Sequence, residues 1–243
     1  MAQAYRPDKN LSELVLTDAE LQAMWLSLIV ALRSVAFSLP LAIGAAWLLS
    51  RTRFPGKSLV DGLIHLPLVL PPVVVGYLLL LGFGVRGPVG HWLNETLGVR
   101  LAFTSEGASL ATAVMAFPLM VRAIRLALDA VDRGLEDAAR TLGAGALDRF
   151  ASITFPLMLP GILAGTVVAF AASLGEFGAV ITFASSIPGE TQTLPLAIYQ
   201  AIQTPNGDAM AARLAIISIA IALAGLTLSN YLASRVRAMT EAP

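Results

Sequence analysis

Few side chains in this sequence can carry out chemistry. Cysteine is absent, which removes disulfides, thiolate nucleophiles and cysteine-held metals. The two histidines, His65 and His91, lie too far apart in sequence for a metal-ligand spacing, and no cofactor is implied. Gly56-Lys57-Ser58 has the form of the end of a phosphate-binding loop, but that loop needs glycine five residues before its second glycine. Arg51 stands there, so the chain holds no ATP site and any energy must come from a partner. Glu176, in Gly175-Glu176-Phe177-Gly178, is the carboxylate that matters. It falls inside an apolar run, where a charge is costly and marks a functional site by default. A gate or a hydrogen-bonded structural role suits it. Nearby Ser173 offers a hydroxyl to the same region. Pro71 and Pro72 interrupt another apolar run, and Pro40, Pro67 and Pro118 lie in others. Each removes or strains a helix hydrogen bond, and in lipid such breaks survive only where protein or a water-filled cavity covers the freed groups.

The elements that must hold these residues follow from hydropathy. Of 243 residues, 56% are hydrophobic and 13% charged, about half the charge of a soluble domain. Five apolar segments, Leu21 to Leu49, Leu59 to Phe83, Ala108 to Leu128, Leu157 to Phe183 and Ala209 to Ala233, are each long enough to cross roughly 30 Å of hydrocarbon as a helix. None alternates as barrel strands do. The expectation is an all-α polytopic membrane protein with about five transmembrane helices, the second one kinked. The segment from Thr193 to Ile202 is too short to span and reads as interfacial or re-entrant. Residues 1–20 read as a polar leader rather than a signal peptide, residues 21–237 as one membrane domain, and residues 238–243 as a tail. Sixteen basic and 16 acidic residues leave no net charge to favour nucleic acid.

Arginine and lysine set the orientation. With the segment after the first helix inside, the inner side holds Arg51, Arg53, Lys57, Arg122, Arg125, Arg133, Arg140, Arg149, Arg235 and Arg237, and the outer side Arg6, Lys9, Arg86, Arg100 and Arg213. The positive-inside rule then puts the N-terminus outside and the C-terminus inside. Arg33 stays within the first helix and suits snorkelling or pairing with another subunit.

The longest inner loop, residues 129–156, reads DAVDRGLEDAARTLGAGALDRFASITFP. Leu135 to Leu142 predicts a short helix with Glu136 and Asp137 in its first turn, where acids suit the positive helix end. Ala138 and Ala139 are small enough for a partner to approach closely, and Gly143 is a helix stop. Ala146 to Ile153 predicts a second short helix. Such a compact knob can pass rigid-body motion from a soluble partner into the spans. An ordinary amphipathic loop has the same composition.

This loop resembles the coupling loop of ABC importer permeases, whose pattern is Glu-Ala-Ala, three residues, Gly, nine residues, then Ile-x-Leu-Pro. Here Asp137-Ala138-Ala139, Gly143, and Ile153, Phe155 and Pro156 keep the spacing, with Asp for Glu and Phe for Leu. LPLVLPPVVVGYLLLL (66–81), FPLMVRAIRLAL (117–128), SLGEFGAVITF (173–183) and IPGETQTLPLAIY (187–199) are similar to the molybdate permeases of that class. The resemblance implies a type I ABC importer permease fold in the bacterial inner membrane. It also implies a homodimer, two cytoplasmic ATP-binding subunits docked at Glu136, Asp137, Ala138, Ala139 and Gly143, and a periplasmic oxyanion-binding protein. The implied function is molybdate import without enzymatic activity in this chain. Sulfate or tungstate import is the alternative within the class, and a stand-alone secondary transporter the alternative outside it.

Overall fold

The structure, a computed structural model, describes residues 16–240, with side chains at 226, 228–230 and 232–240 left undescribed. Arg6, Lys9, Arg235, Arg237 and the tail from 241 lie outside what it describes. The described residues are helical, without strands.

Helix α1 (Asp18–Arg51) opens on a capping box: the Thr17 hydroxyl accepts from the Glu20 amide, and the Glu20 carboxylate accepts from the Thr17 amide at 2.7 Å. The last three residues of the expected leader therefore belong to the helix, because the cap satisfies its orphan amides at Thr17. α2 (Lys57–Val69) and α3 (Pro72–Phe83) share the second apolar run. α4 (Pro88–Leu97) leads to α5 (Ser105–Ala130), and α6 (Arg133–Thr141) forms the knob. α7 (Ala146–Arg149) runs through a π-helical turn, Phe150–Thr154, into α8 (Phe155–Leu174). α9 (Gly178–Phe183), α10 (Leu194–Gln203) and α11 (Asp208–Thr240) follow.

α1 and α5 run parallel: Arg33 of α1 meets Glu106 of α5 at 3.2 Å, while Ser50 and Arg51 meet Asp129 and the Leu128 carbonyl. The chain between them must therefore travel back along the bundle, and α2 and α3 carry it. Their axes bend by 116° at the Leu70-Pro71 break. The sequence predicts a kink here; the structure makes it a full break. Leu70, forced extended by the following proline (φ −77°, ψ 144°), gives the last α2 bond to Leu66. Pro71 cannot donate, and Pro72 starts α3 in the first-turn position that tolerates a missing N–H. Among the described residues, four continuous helices plus this bent pair make up to five crossings.

α8 packs antiparallel on α5, with Gly161 against Ala127 and Gly165 against Ala123 and Met120. Small residues let membrane helices approach where the lipid offers no hydrophobic drive. One core, at the Arg51 end, holds Leu49, Met120, Ile124, Leu128 and Met158. A second, toward the opposite end, holds Val30, Val75, Leu79, Phe183 and Leu196. The expected span from Leu157 to Phe183 is not one helix. α8 ends at Leu174, and the chain breaks over Gly175-Glu176-Phe177 before α9. α10 is not a free interfacial helix: Leu194, Leu196, Ala197 and Ala201 are buried, and the Leu194 amide donates to Ser27 of α1 at 2.6 Å.

Candidate coupling and pathway sites

The knob is built from its caps. The Asp132 carboxylate accepts from the Gly134 amide at 2.8 Å and opens α6. The helix closes where Gly143 takes φ +89°, while the Gly143 amide donates to the Arg140 carbonyl and the Ala144 amide to the Ala139 carbonyl at 3.0 Å. This left-handed residue is the stop that the sequence placed there.

Glu136 and Asp137, adjacent in sequence, have opposite surroundings. Glu136 Oε1 accepts from Arg51 Nη2 at 3.0 Å and from Thr154 Oγ1 at 2.7 Å. Arg51, its side chain 10% exposed, also donates to the Leu128 carbonyl at 3.3 Å. One carboxylate thus ties α6 to the end of α1, the end of α5 and the base of α8. Asp137 points away, exposed, with Arg140 at 3.5 Å. Ala138 is exposed and Ala139 half-buried. Beside them Leu135, Leu142 (88% exposed) and Leu147 (85% exposed) turn outward. Leu135, Ala138 and Leu142 share one face at helical spacing. Sequence reasoning missed the Arg51 and Thr154 anchors and these leucines. A leucine beside the glycine stop of a polar loop was the available signal for Leu142; nothing local marked Arg51. The expected second short helix is continuous with α8. The π turn has the Phe155 amide bonding back to the Phe150 carbonyl, and Thr154 within it reaches Glu136. Such turns recur at functional sites.

The pathway candidates lie around the two chain breaks. Glu176 Oε1 accepts from the Ala179 amide at 2.8 Å and so caps α9. Ser173 is buried, its hydroxyl 3.2 Å from that of Ser34 in α1. Pro71 and Pro72 are exposed at the start of α3. The breaks meet: a Cβ on Gly178 would lie 2.7 Å from the Pro72 Cβ, and one on Gly76 would lie 2.6 Å from the Ala179 carbonyl oxygen. Only glycine permits the first approach. Gly175, by contrast, would bring a Cβ no closer than 3.9 Å to the Ala172 carbonyl oxygen and is not a close-packing residue. The Phe177 ring tilts against Tyr199 of α10 with centroids 5.0 Å apart. Arg33 pairs with Ser105 and Glu106 at the start of α5 in its own chain.

Among solved structures, a bacterial ABC transporter that imports the acidic polysaccharide alginate matches with TM-score 0.76 and 18% identity, over 95% of this chain and 85% of that one. The MetNI methionine ABC transporter matches with TM-score 0.71 and 16% identity, over 91% and 99%. These likenesses concern the fold. In sequence, the chain is 62% identical over 227 residues to the molybdenum transport system permease protein ModB of Escherichia coli K12, covering 93% of this chain and 99% of that protein. It is 56% identical to ModB of Haemophilus influenzae, over 90% and 95%. Against the sulfate transport system permease protein CysT of Escherichia coli K12, identity is 37%, over 78% and 68%. Residues 38–238 match the family described as binding-protein-dependent transport system inner membrane component, and with a shared helical fold and near-full-length relatives the chain belongs to that family of ABC importer permeases.

Proposed function

We propose that this chain forms the inner-membrane pathway through which an ABC importer brings molybdate into the cell, driven by ATP hydrolysis on a partner subunit. The observation that carries the substrate is the 62% identity over 93% of the chain to a molybdenum permease, against 37% to a sulfate permease. The knob end, with Arg51, Arg53, Lys57, Arg133, Arg140 and Arg149, faces the cytoplasm, and the end with Arg86, Arg100 and Arg213 faces the periplasm.

A groove on the ATPase takes the outward face of α6: Leu135, Asp137, Ala138 and Leu142, with Ala139 and Gly143 setting its shape. Glu136 then passes ATPase closure to α1 and α8 through Arg51 and Thr154. The helix from Ala146 to Leu174 spans 29 residues, about 43 Å at 1.5 Å per residue, so displacement at its base reaches the break at Glu176. There α9 rests on Pro72, and a shift of α8 relative to α3 opens or closes the pathway near Ser173, Glu176, Pro71 and Pro72. Two copies enclose that pathway. No residue of α2 is fully buried within this chain, and Leu59, Leu63 and Val69 on it are more than two-thirds exposed. A periplasmic oxyanion-binding protein loads the outer face.

The test is uptake by cells lacking this chain. Loss of labelled molybdate uptake with sulfate uptake intact is expected; the reverse pattern would assign sulfate.

A further inference from the structure

Outside the knob and the helix breaks lies another polar cleft. It has a volume of about 440 Å³ and lies between α2 and α5, lined by Asp61, His65, Arg122, Arg125, Leu126 and Asp129. Most of its charges are matched. Arg125 donates to Asp61 at 3.1 Å and stands 3.8 Å from Asp129, and Asp129 also takes the Ser50 hydroxyl. His65 Nδ1 lies 2.8 Å from the Asp61 carbonyl oxygen and 3.3 Å from its carboxylate. A carbonyl oxygen has no proton to give, so Nδ1 carries one and His65 is turned toward Asp61.

Arg122 is different. It is exposed and makes no hydrogen bond or ion pair among the described residues. It stands eight residues before the end of α5 at Ala130, about 12 Å along the helix. An exposed guanidinium with no such partner is left to water, a counter-charge or a phosphate. Its planar fork of donors matches a tetrahedral oxyanion, and the two nearby carboxylates are already held by Arg125, His65 and Ser50.

We infer that this cleft is an oxyanion-binding site, with Arg122 as the principal contact, where the transported anion pauses before release at the Arg51 end. The inference rests on the oxyanion-import reading above. A lipid phosphate has the same chemistry as a free oxyanion; the free oxyanion is favoured because Arg122 shares a cleft with Asp61 and His65 of α2 rather than standing alone on a lipid-facing stripe.

The experiment uses the full chain assembled with its ATPase subunits in phosphatidylcholine nanodiscs and measures equilibrium binding of radiolabelled molybdate without binding protein. Arg122→Gln should weaken binding about tenfold or more, and Arg122→Lys, which keeps the charge but loses the fork, should lie between. In proteoliposomes the same variants should lower the uptake rate while ATPase association stays normal. Equal binding by wild type and Arg122→Gln overturns the site. So does a variant whose only change is loss of co-purifying acidic phospholipid, which would make Arg122 a headgroup contact. If the wild-type assembly binds and transports sulfate but not molybdate, the substrate reading fails while the site stands or falls on the same comparison made with sulfate.

Discussion

At the scale of single residues, the knob depends on one backbone conformation and one carboxylate. Gly143 at φ +89° occupies a region that β-branched residues resist. Gly143→Val should cost on the order of 1 kcal/mol locally, too little to unfold the bundle but enough to misplace Leu142 and Ala138. Normal membrane insertion with poor ATPase co-purification and little uptake is expected; full co-purification and transport would remove the loop as the coupling element. Glu136 has the other role. With its partner Arg51 only 10% exposed, Glu136→Ala leaves a nearly buried guanidinium without its carboxylate. That should cost about 1–3 kcal/mol. The ATPase should still bind, since the outward face of α6 is untouched, while transport per ATP hydrolysed falls. Measuring both activities in proteoliposomes separates the two roles. A double-mutant cycle with Arg51→Ala should be clearly non-additive, and additive losses would mean the ion pair is not the link.

At the scale of elements, the two chain breaks act together. Pro71-Pro72 separates α2 from α3, Gly175-Glu176-Phe177 separates α8 from α9, and Gly178 lets the second pack on the first. Gly178→Ala places a methyl 2.7 Å from the Pro72 Cβ, an overpacking that should cost about 1–3 kcal/mol. Uptake should fall more than membrane abundance does. Replacing Pro71 and Pro72 by alanine restores a donor and relieves the restraint on Leu70. α2 can then extend toward α3, and uptake should slow with the protein still in the membrane. Normal uptake by the double variant would reduce these prolines to packing residues.

For the whole molecule, five crossings, the count in the proposed topology, would put the two ends of the membrane domain on opposite sides. α1 and α5 run parallel, so the proposed topology takes the bent pair as one traverse and the positive end with the knob as the cytoplasmic one. The cysteine-free sequence makes this testable by single cysteines. Glu190, on an exposed tip, and Arg140, exposed on α6, are suitable positions. Gly207 is not, because a Cβ there would meet the Ala201 carbonyl oxygen at 2.0 Å. Glu190→Cys should react with an impermeant maleimide in intact cells, and Arg140→Cys only after permeabilisation. Labelling of Arg140→Cys in intact cells would invert the orientation.

Composition and hydropathy alone determined that the chain is helical, lies in a membrane and has about five apolar runs, because crossing hydrocarbon demands long stretches with internally satisfied backbone. Local chemistry also marked the α6 stop at Gly143 and the interruption at Pro71-Pro72, since both are set by the backbone of one or two residues. Tertiary structure decided the rest. A proline pair says that a helix stops but not that the next one leaves at 116°; the packing of α3 on α9 selects that angle. The end of α8 at Leu174 was hidden, because Gly175 to Gly178 sits in a run that is apolar on both sides and a glutamate can cap a new helix as readily as it can sit within one. The roles of Glu136 and Asp137 differ only through the rotation of α6 about its axis. That rotation is set by Arg51 and Thr154, residues far along the chain that come together because α1 and α8 end at the same level of the bundle.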